Sequence, residues 1–202
     1  MSRAKIAVLV SGGGTNLQAI IDAHRAGIIH SGDIALVVAN NENAYALERA
    51  AAAGIPSTVI TKKACGSQEA FEDAIIAALT EAGIDLIVLA GFMSILSERF
   101  TSRYDKRIIN VHPSLIPSFC GQGFYGLRVH EAALAKGVKV TGATVHYVNE
   151  IPDGGEIIMQ KAVEVHPDDT PSILQRRVME EAEWIILPAA VEAVCAQIIG
   201  NR

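Results

Sequence analysis

Apolar positions along the chain follow two different patterns, with the change at Gly142. Upstream, continuous apolar runs at Ile6–Val10, Ile34–Val38 and Leu86–Ala90 are separated by alanine-rich stretches near residues 16–26, 43–53 and 68–83. Runs of this kind, bounded by glycine clusters, fit strands buried on both faces. Their alternation with helical segments predicts right-handed crossovers and a mostly parallel sheet covered by helices on both sides. Arg107–Val111 reads as a further strand. Downstream, residues 143–148 and 156–163 are β-rich and joined through Pro152-Asp153-Gly154-Gly155, a turn composition that predicts an antiparallel pair and hence a mixed sheet. Thr170 before Pro171 is an N-cap followed by a first helical position, opening a closing helix interrupted or bent at Pro188.

Composition narrows the class. With 202 residues, half of them hydrophobic and 19% charged, the chain can bury one core, and residues 1–202 read as a single domain without linker or repeat. A net charge of -5 argues against nucleic acid and against a membrane surface, both of which call for clustered Lys and Arg, so any anionic ligand must be held locally. Cys65, Cys120 and Cys195 show neither paired nor metal-ligand spacing, and Met1–Lys5 leads into only a short apolar run. These features predict a reduced, cytoplasmic, unanchored protein.

The chemistry lies in a few polar groups. Asn110 and His112, two apart in extended backbone, project to the same side and can act on one atom. Pro113 and Pro117 then predict a stiff turn that holds the imidazole at the carboxyl end of its strand, where open α/β sheets place their sites. Asp153, on a glycine-rich turn, adds a carboxylate; by itself it reads as an ordinary turn residue, but with Asn110 and His112 it completes a set able to stabilise an oxyanion and move a proton. Ser11-Gly12-Gly13-Gly14-Thr15-Asn16 lies between strand and helix, where free amides can cradle a phosphate. It lacks the Gly-Lys-Ser/Thr of a P-loop, and Leu17 stands where a dinucleotide fingerprint needs glycine. The apolar segment Gly91–Leu96 reads as core or as a pocket wall for a flat heterocycle. Ser114 reads as structural, Glu180 and Glu183 as a solvated helix face, and His112, His130 and His146 lack metal-site spacing, so no metal is expected.

Taken together, Ser11–Asn16, Leu89–Met93, Asn110–Pro117 and Gly142–Val148 followed by Asp153-Gly-Gly resemble the phosphoribosylglycinamide formyltransferases, a folate-dependent formyltransferase family, over nearly the whole chain. The resemblance implies an α/β, Rossmann-like three-layer fold with a mostly parallel mixed sheet and an antiparallel C-terminal portion. It implies catalytic roles for Asn110, His112 and Asp153, and contacts to the acceptor substrate from Gly14, Thr15, Asn16 and Glu183. The donor, 10-formyltetrahydrofolate, would lie against Gln68, Met93, Ser94, Ile95, Leu96 and Asn110. Gln68 and Ser94 stand where members often carry basic residues, and Trp184 where histidine is frequent. The Cys120–Gly126 loop resembles one branch's version and is expected to move over the cleft. The implied activity is formyl transfer to the amine of glycinamide ribonucleotide in purine synthesis, with small-molecule partners only, as a monomer or homodimer. The alternative is hydrolysis of formyltetrahydrofolate, and a non-catalytic sensor domain is a third reading. Methionyl-tRNA formyltransferases share the core but add a C-terminal RNA-contacting domain and basic surface.

Overall fold

The computed structural model describes residues 3–201; Met1 and Ser2, the first two residues of the Met1–Lys5 segment considered above, lie outside them. Seven strands form one sheet in the order β3-β2-β1-β4-β5-β6-β7. β1 (Ala4–Val10), β2 (Gly32–Ala39), β3 (Ser57–Val59), β4 (Leu86–Leu89) and β5 (Ile108–His112) pair in parallel. β6 (Val140–Tyr147) and β7 (Ile157–Glu164) close the sheet antiparallel to their neighbours. The predicted mixed sheet is therefore present. β3, three residues long, is too short to leave a periodic signature and went unpredicted.

Strand alternation divides the core between two faces. In β1, Ile6, Val8 and Val10 pack on one side, with Leu17 and Ile20 of α1 (Thr15–Arg25) and Leu187 and Val191 of α8 (Trp184–Gly200). Ala7 and Leu9 face the other side, against Phe71, Ile75 and Leu79 of α4 (Gln68–Ala82) and Phe100 of α5 (Glu98–Arg103). Each of the fully buried Val, Leu, Ile and Phe side chains among these contributes about 1.5–3 kcal/mol over its exposed state. Three helices fit the predicted segments: α1, α2 (Ala46–Ala52) and α4. The short α3 (Lys62–Cys65), α5 and α6 (Leu127–Lys136) were not predicted. Thr170 caps α7 (Pro171–Val178), its hydroxyl accepting from the Ile173 amide at 3.3 Å.

The closing helix departs from α geometry upstream of Pro188. Residues Met179–Glu183 form one π-helical turn between α7 and α8, whereas Pro188 lies inside α8. Pro188 has no N–H and crowds the carbonyl one turn before it, so the disturbance it brings falls toward the π turn rather than beyond it.

The chain runs from β1 outward to β2 and β3, then returns to place β4 on the other side of β1. Strand order thus reverses between β1 and β4, the position at which open α/β sheets open a crevice at their carboxyl ends.

Candidate active site

Segments from β1, β2, β4 and β5 meet at this crevice. Met93 donates its backbone N–H to Ser11 Oγ at 2.7 Å, and Asn40 Nδ2 donates to Ser94 Oγ at 2.8 Å, tying the segment after β4 to the ends of β1 and β2. Asn110 and His112 come from the end of β5, as expected from their spacing. Asp153 arrives from the β6–β7 connection with φ 56°, a left-handed conformation that aspartate tolerates better than most residues. Gly155 permits that approach, since a Cβ there would lie 1.7 Å from the Tyr147 carbonyl oxygen.

The hydrogen bonds assign the imidazole tautomers. His112 Nε2 lies 2.9 Å from the Phe119 carbonyl oxygen, an acceptor only, so this nitrogen carries a proton. His112 Nδ1 faces Asp153 Oδ2 at 3.4 Å, and Gly121 donates its amide to the same Oδ2 at 2.9 Å. His146 Nδ1 bonds the Tyr147 carbonyl at 2.8 Å, which leaves Nε2 to accept from Asn110 Nδ2 at 3.3 Å and places it 3.5 Å from Asp153 Oδ1. One of the two Asn110 amide hydrogens is thereby used and the other is left for a ligand.

Burial is the largest influence on His112 and pushes its pKa below the ordinary 6.5, while the Asp153 charge and the Phe119 carbonyl act the other way. Burial likewise opposes ionisation of Asp153. The charge of His112 and the Gly121 amide act against it, and the carboxyl lies below its usual range. The pair is thus a stable carboxylate beside an imidazole whose proton is weakly held. His130, fully buried, is pushed down to about 4 by burial and by the charge of His112, and is neutral near pH 7.

Asn110, His112, Asp153 and the segment Met93–Leu96 line one cavity of ≈ 560 Å³, a size suited to a small-molecule ligand. Met93 and Ile95 are 56% and 70% exposed, so this stretch is pocket wall rather than core, apart from buried Leu96. Gln68 is not part of the lining. Its Nε2 donates to Glu72 Oε1 at 2.7 Å and to the Ile95 carbonyl at 3.0 Å, bracing the wall from behind.

The other predicted group assembles separately. Gly14, Thr15 and Asn16 stand at the start of α1, and Asn16 Nδ2 donates to Glu183 Oε2 at 2.8 Å. Reading Glu183 as part of a solvated face is corrected here: it is only 6% exposed, because the π turn shifts it inward, while Glu180 stays exposed and pairs with Arg176. Burial raises the Glu183 carboxyl above its ordinary range, with the Asn16 bond opposing. Among the described residues, Asn16 Oδ1 and the indole Nε1 of Trp184 are buried without a hydrogen-bond partner. Thr15, Arg49 and Trp184 border a second hollow of ≈ 450 Å³. Ser114 is structural as read, its hydroxyl bonded to the Ser118 carbonyl.

Sequence reasoning missed four contributors. The Phe119 carbonyl and Gly121 amide act through backbone, which residue identity does not encode. His146 had a legible signal: it alternates with Thr144 on a strand beside β5, and its register opposite Asn110 follows from that pairing. Arg49 lies on a helix remote in sequence from the glycine loop it touches.

The chain is similar to known proteins over most of its length. A family model described as formyl transferase matches residues 4–191. A phosphoribosylglycinamide formyltransferase from Haemophilus influenzae is 43% identical over 192 residues, covering 93% of this chain and 85% of that protein. The human trifunctional purine biosynthetic protein adenosine-3 is 44% identical over 194 residues, covering 96% of this chain but only 18% of its own length. The chain thus spans under a fifth of such trifunctional relatives. Glycinamide ribonucleotide transformylase 1 from Symbiobacterium toebii superposes with a TM-score of 0.90 at 41% identity, covering 96% of this chain and 89% of that one. With a family model matching residues 4–191 and a solved relative superposing at a TM-score of 0.90, the chain belongs to the formyl transferase family.

Proposed function

We propose that the chain transfers the formyl group of 10-formyltetrahydrofolate to the amine of glycinamide ribonucleotide, in purine synthesis. The observation that carries this reading is the convergence of Asn110, His112 and Asp153 at one end of a cavity walled by Met93 and Ile95. The wall suits the flat heterocycle of the folate, and the glycine loop with Glu183 suits the phosphate and ribose of the acceptor. Relatives bearing the transformylase name support the substrate pair.

In this mechanism the acceptor amine attacks the formyl carbon and the C=O electron pair moves onto oxygen. The free Asn110 amide hydrogen and the protonated His112 Nδ1–H stabilise that oxyanion. At 3.4 Å the Nδ1 contact to Asp153 is longer than a charge-assisted bond of about 2.7–2.9 Å, so the N–H can be shared with the new acceptor. Asp153 favours the imidazolium and orients a water that takes the amine proton and delivers it toward N10. Collapse of the tetrahedral species breaks the C–N10 bond and releases tetrahydrofolate and the formamide. No covalent enzyme intermediate is needed. Residues 1–202 act as one catalytic domain in this reading, in a reducing cytoplasm consistent with three unpaired cysteines.

The test is tetrahydrofolate formation from 10-formyltetrahydrofolate, with and without glycinamide ribonucleotide, in the parent and in His112→Ala. Turnover that requires the ribonucleotide and collapses in the variant is expected. Equal turnover without the ribonucleotide would make the protein a hydrolase, and ligand binding without turnover would make it a sensor.

A further inference from the structure

We infer that Arg49 is a positioning residue for the acceptor's phosphate, acting by aiming the amides of the glycine loop. This rests on the reading of that loop as the phosphate cradle.

Two successive carbonyls of the loop are held from the α2 side. Gly12 accepts through its carbonyl from the Ala46 amide at 3.1 Å, and Gly13 accepts through its carbonyl from Arg49 Nε at 2.8 Å. In a trans peptide the C=O and the following N–H point in opposite directions. Drawing both carbonyls toward α2 therefore aims the Gly13 and Gly14 N–H groups away from α2. With Gly14 in the left-handed region at φ 70° and ψ 31°, these amides lead into the first amides of α1.

Arg49 is itself held in place. Its Nη1 donates to Gln18 Oε1 at 3.1 Å and its guanidinium lies 5.1 Å from the centre of the Tyr45 ring. Among the described residues no carboxylate pairs with it, so its charge remains uncompensated beside the loop. Close packing leaves the loop little freedom to choose another orientation: a Cβ on Gly14 would lie 2.7 Å from Ala46 Cβ and 3.3 Å from Arg49 Cδ. An arginine is suited to this role because its Nε and Nη donors have fixed relative directions, which a lysine ammonium lacks.

The experiment compares Arg49→Ala and Arg49→Lys with the parent, using glycinamide ribonucleotide and its dephosphorylated ribonucleoside as acceptors, with inorganic phosphate as a competing probe. Loss of the clamp should raise the KM for the ribonucleotide at least about tenfold, the effect of misaligning one charge-assisted hydrogen bond. Inhibition by phosphate should weaken in parallel, while the KM values for the ribonucleoside and the formyl donor stay at the parent's. Lysine, which keeps the charge but not the geometry, should recover little. The proposal is overturned if Arg49→Ala keeps the parent's preference for the phosphorylated acceptor, if lysine restores it fully, or if both acceptors and the donor lose affinity together. A parent enzyme that does not prefer the phosphorylated acceptor would instead remove the phosphate reading of the loop, and the proposal with it.

Discussion

Asn16 donates its side-chain amide to the carboxylate of Glu183, 167 residues further along the chain, at 2.8 Å. This bond joins the helix that opens after the glycine loop to the π turn of the closing helix, and in the proposed function it bears on acceptor binding as well as stability.

Glu183 is a buried carboxyl whose pKa is raised by burial above the ordinary 4.5. The folded state therefore binds its proton more tightly than the unfolded state, so this group's contribution to stability is greatest below 4.5 and falls as pH rises through the folded value. Glu183→Gln keeps an acceptor for Asn16 and removes the charge. Thermal unfolding should show the variant at least as stable as the parent at about pH 8, with the difference closing toward about pH 4, while the KM for the ribonucleotide rises.

Asn110→Asp exchanges an amide donor for a carboxylate at the position where the proposed mechanism develops an oxyanion. Turnover should fall roughly 100- to 1,000-fold, with donor and acceptor binding still measurable by calorimetry. A variant retaining half the parent's kcat would exclude Asn110 from the mechanism.

Asp153→Asn preserves a residue type that tolerates the positive φ at this position and still accepts from Gly121. It removes the charge that opposes burial in setting the His112 pKa. The imidazole, already below its usual 6.5, should titrate lower still, which an NMR titration of the His112 ring protons can follow. Because the imidazolium is the active form in the proposed mechanism, activity should be lost toward higher pH at a lower midpoint than in the parent, together with a drop in kcat.

Gly14→Ala forces a side chain into a left-handed conformation, costing about 1–2 kcal/mol, and brings its Cβ 2.7 Å from that of Ala46. The melting temperature should fall by at least about 2 °C, and the ribonucleotide KM should rise more than the folate KM. Unchanged acceptor affinity would separate the loop's packing from its binding role.

Much of the scaffold was legible because its signals are local. Apolar runs with glycine boundaries marked β1, β2 and β4, and Thr170-Pro171 marked the start of α7. The segments that escaped notice were those with weak local signals: three-residue β3 and the helices α3, α5 and α6. The bend assigned to Pro188 was misplaced because a proline disturbs the turn before it, and the extra width appears as the π turn at Met179–Glu183.

The same division runs through the site. By itself the sequence determined that Asn110 and His112 share one side of a strand end, that free amides cluster after β1, and that a carboxylate sits on a glycine-rich turn, since each depends on spacing within a few residues. Only the tertiary structure decided that Asp153 meets His112 and His146, that Phe119 and Gly121 engage the pair through backbone, that Gln68 braces the wall without entering it, and that Glu183 is buried against Asn16. These relations depend on strand order, on register and on a single widened helical turn. They are set by the packing of distant segments, which no short-range pattern specifies.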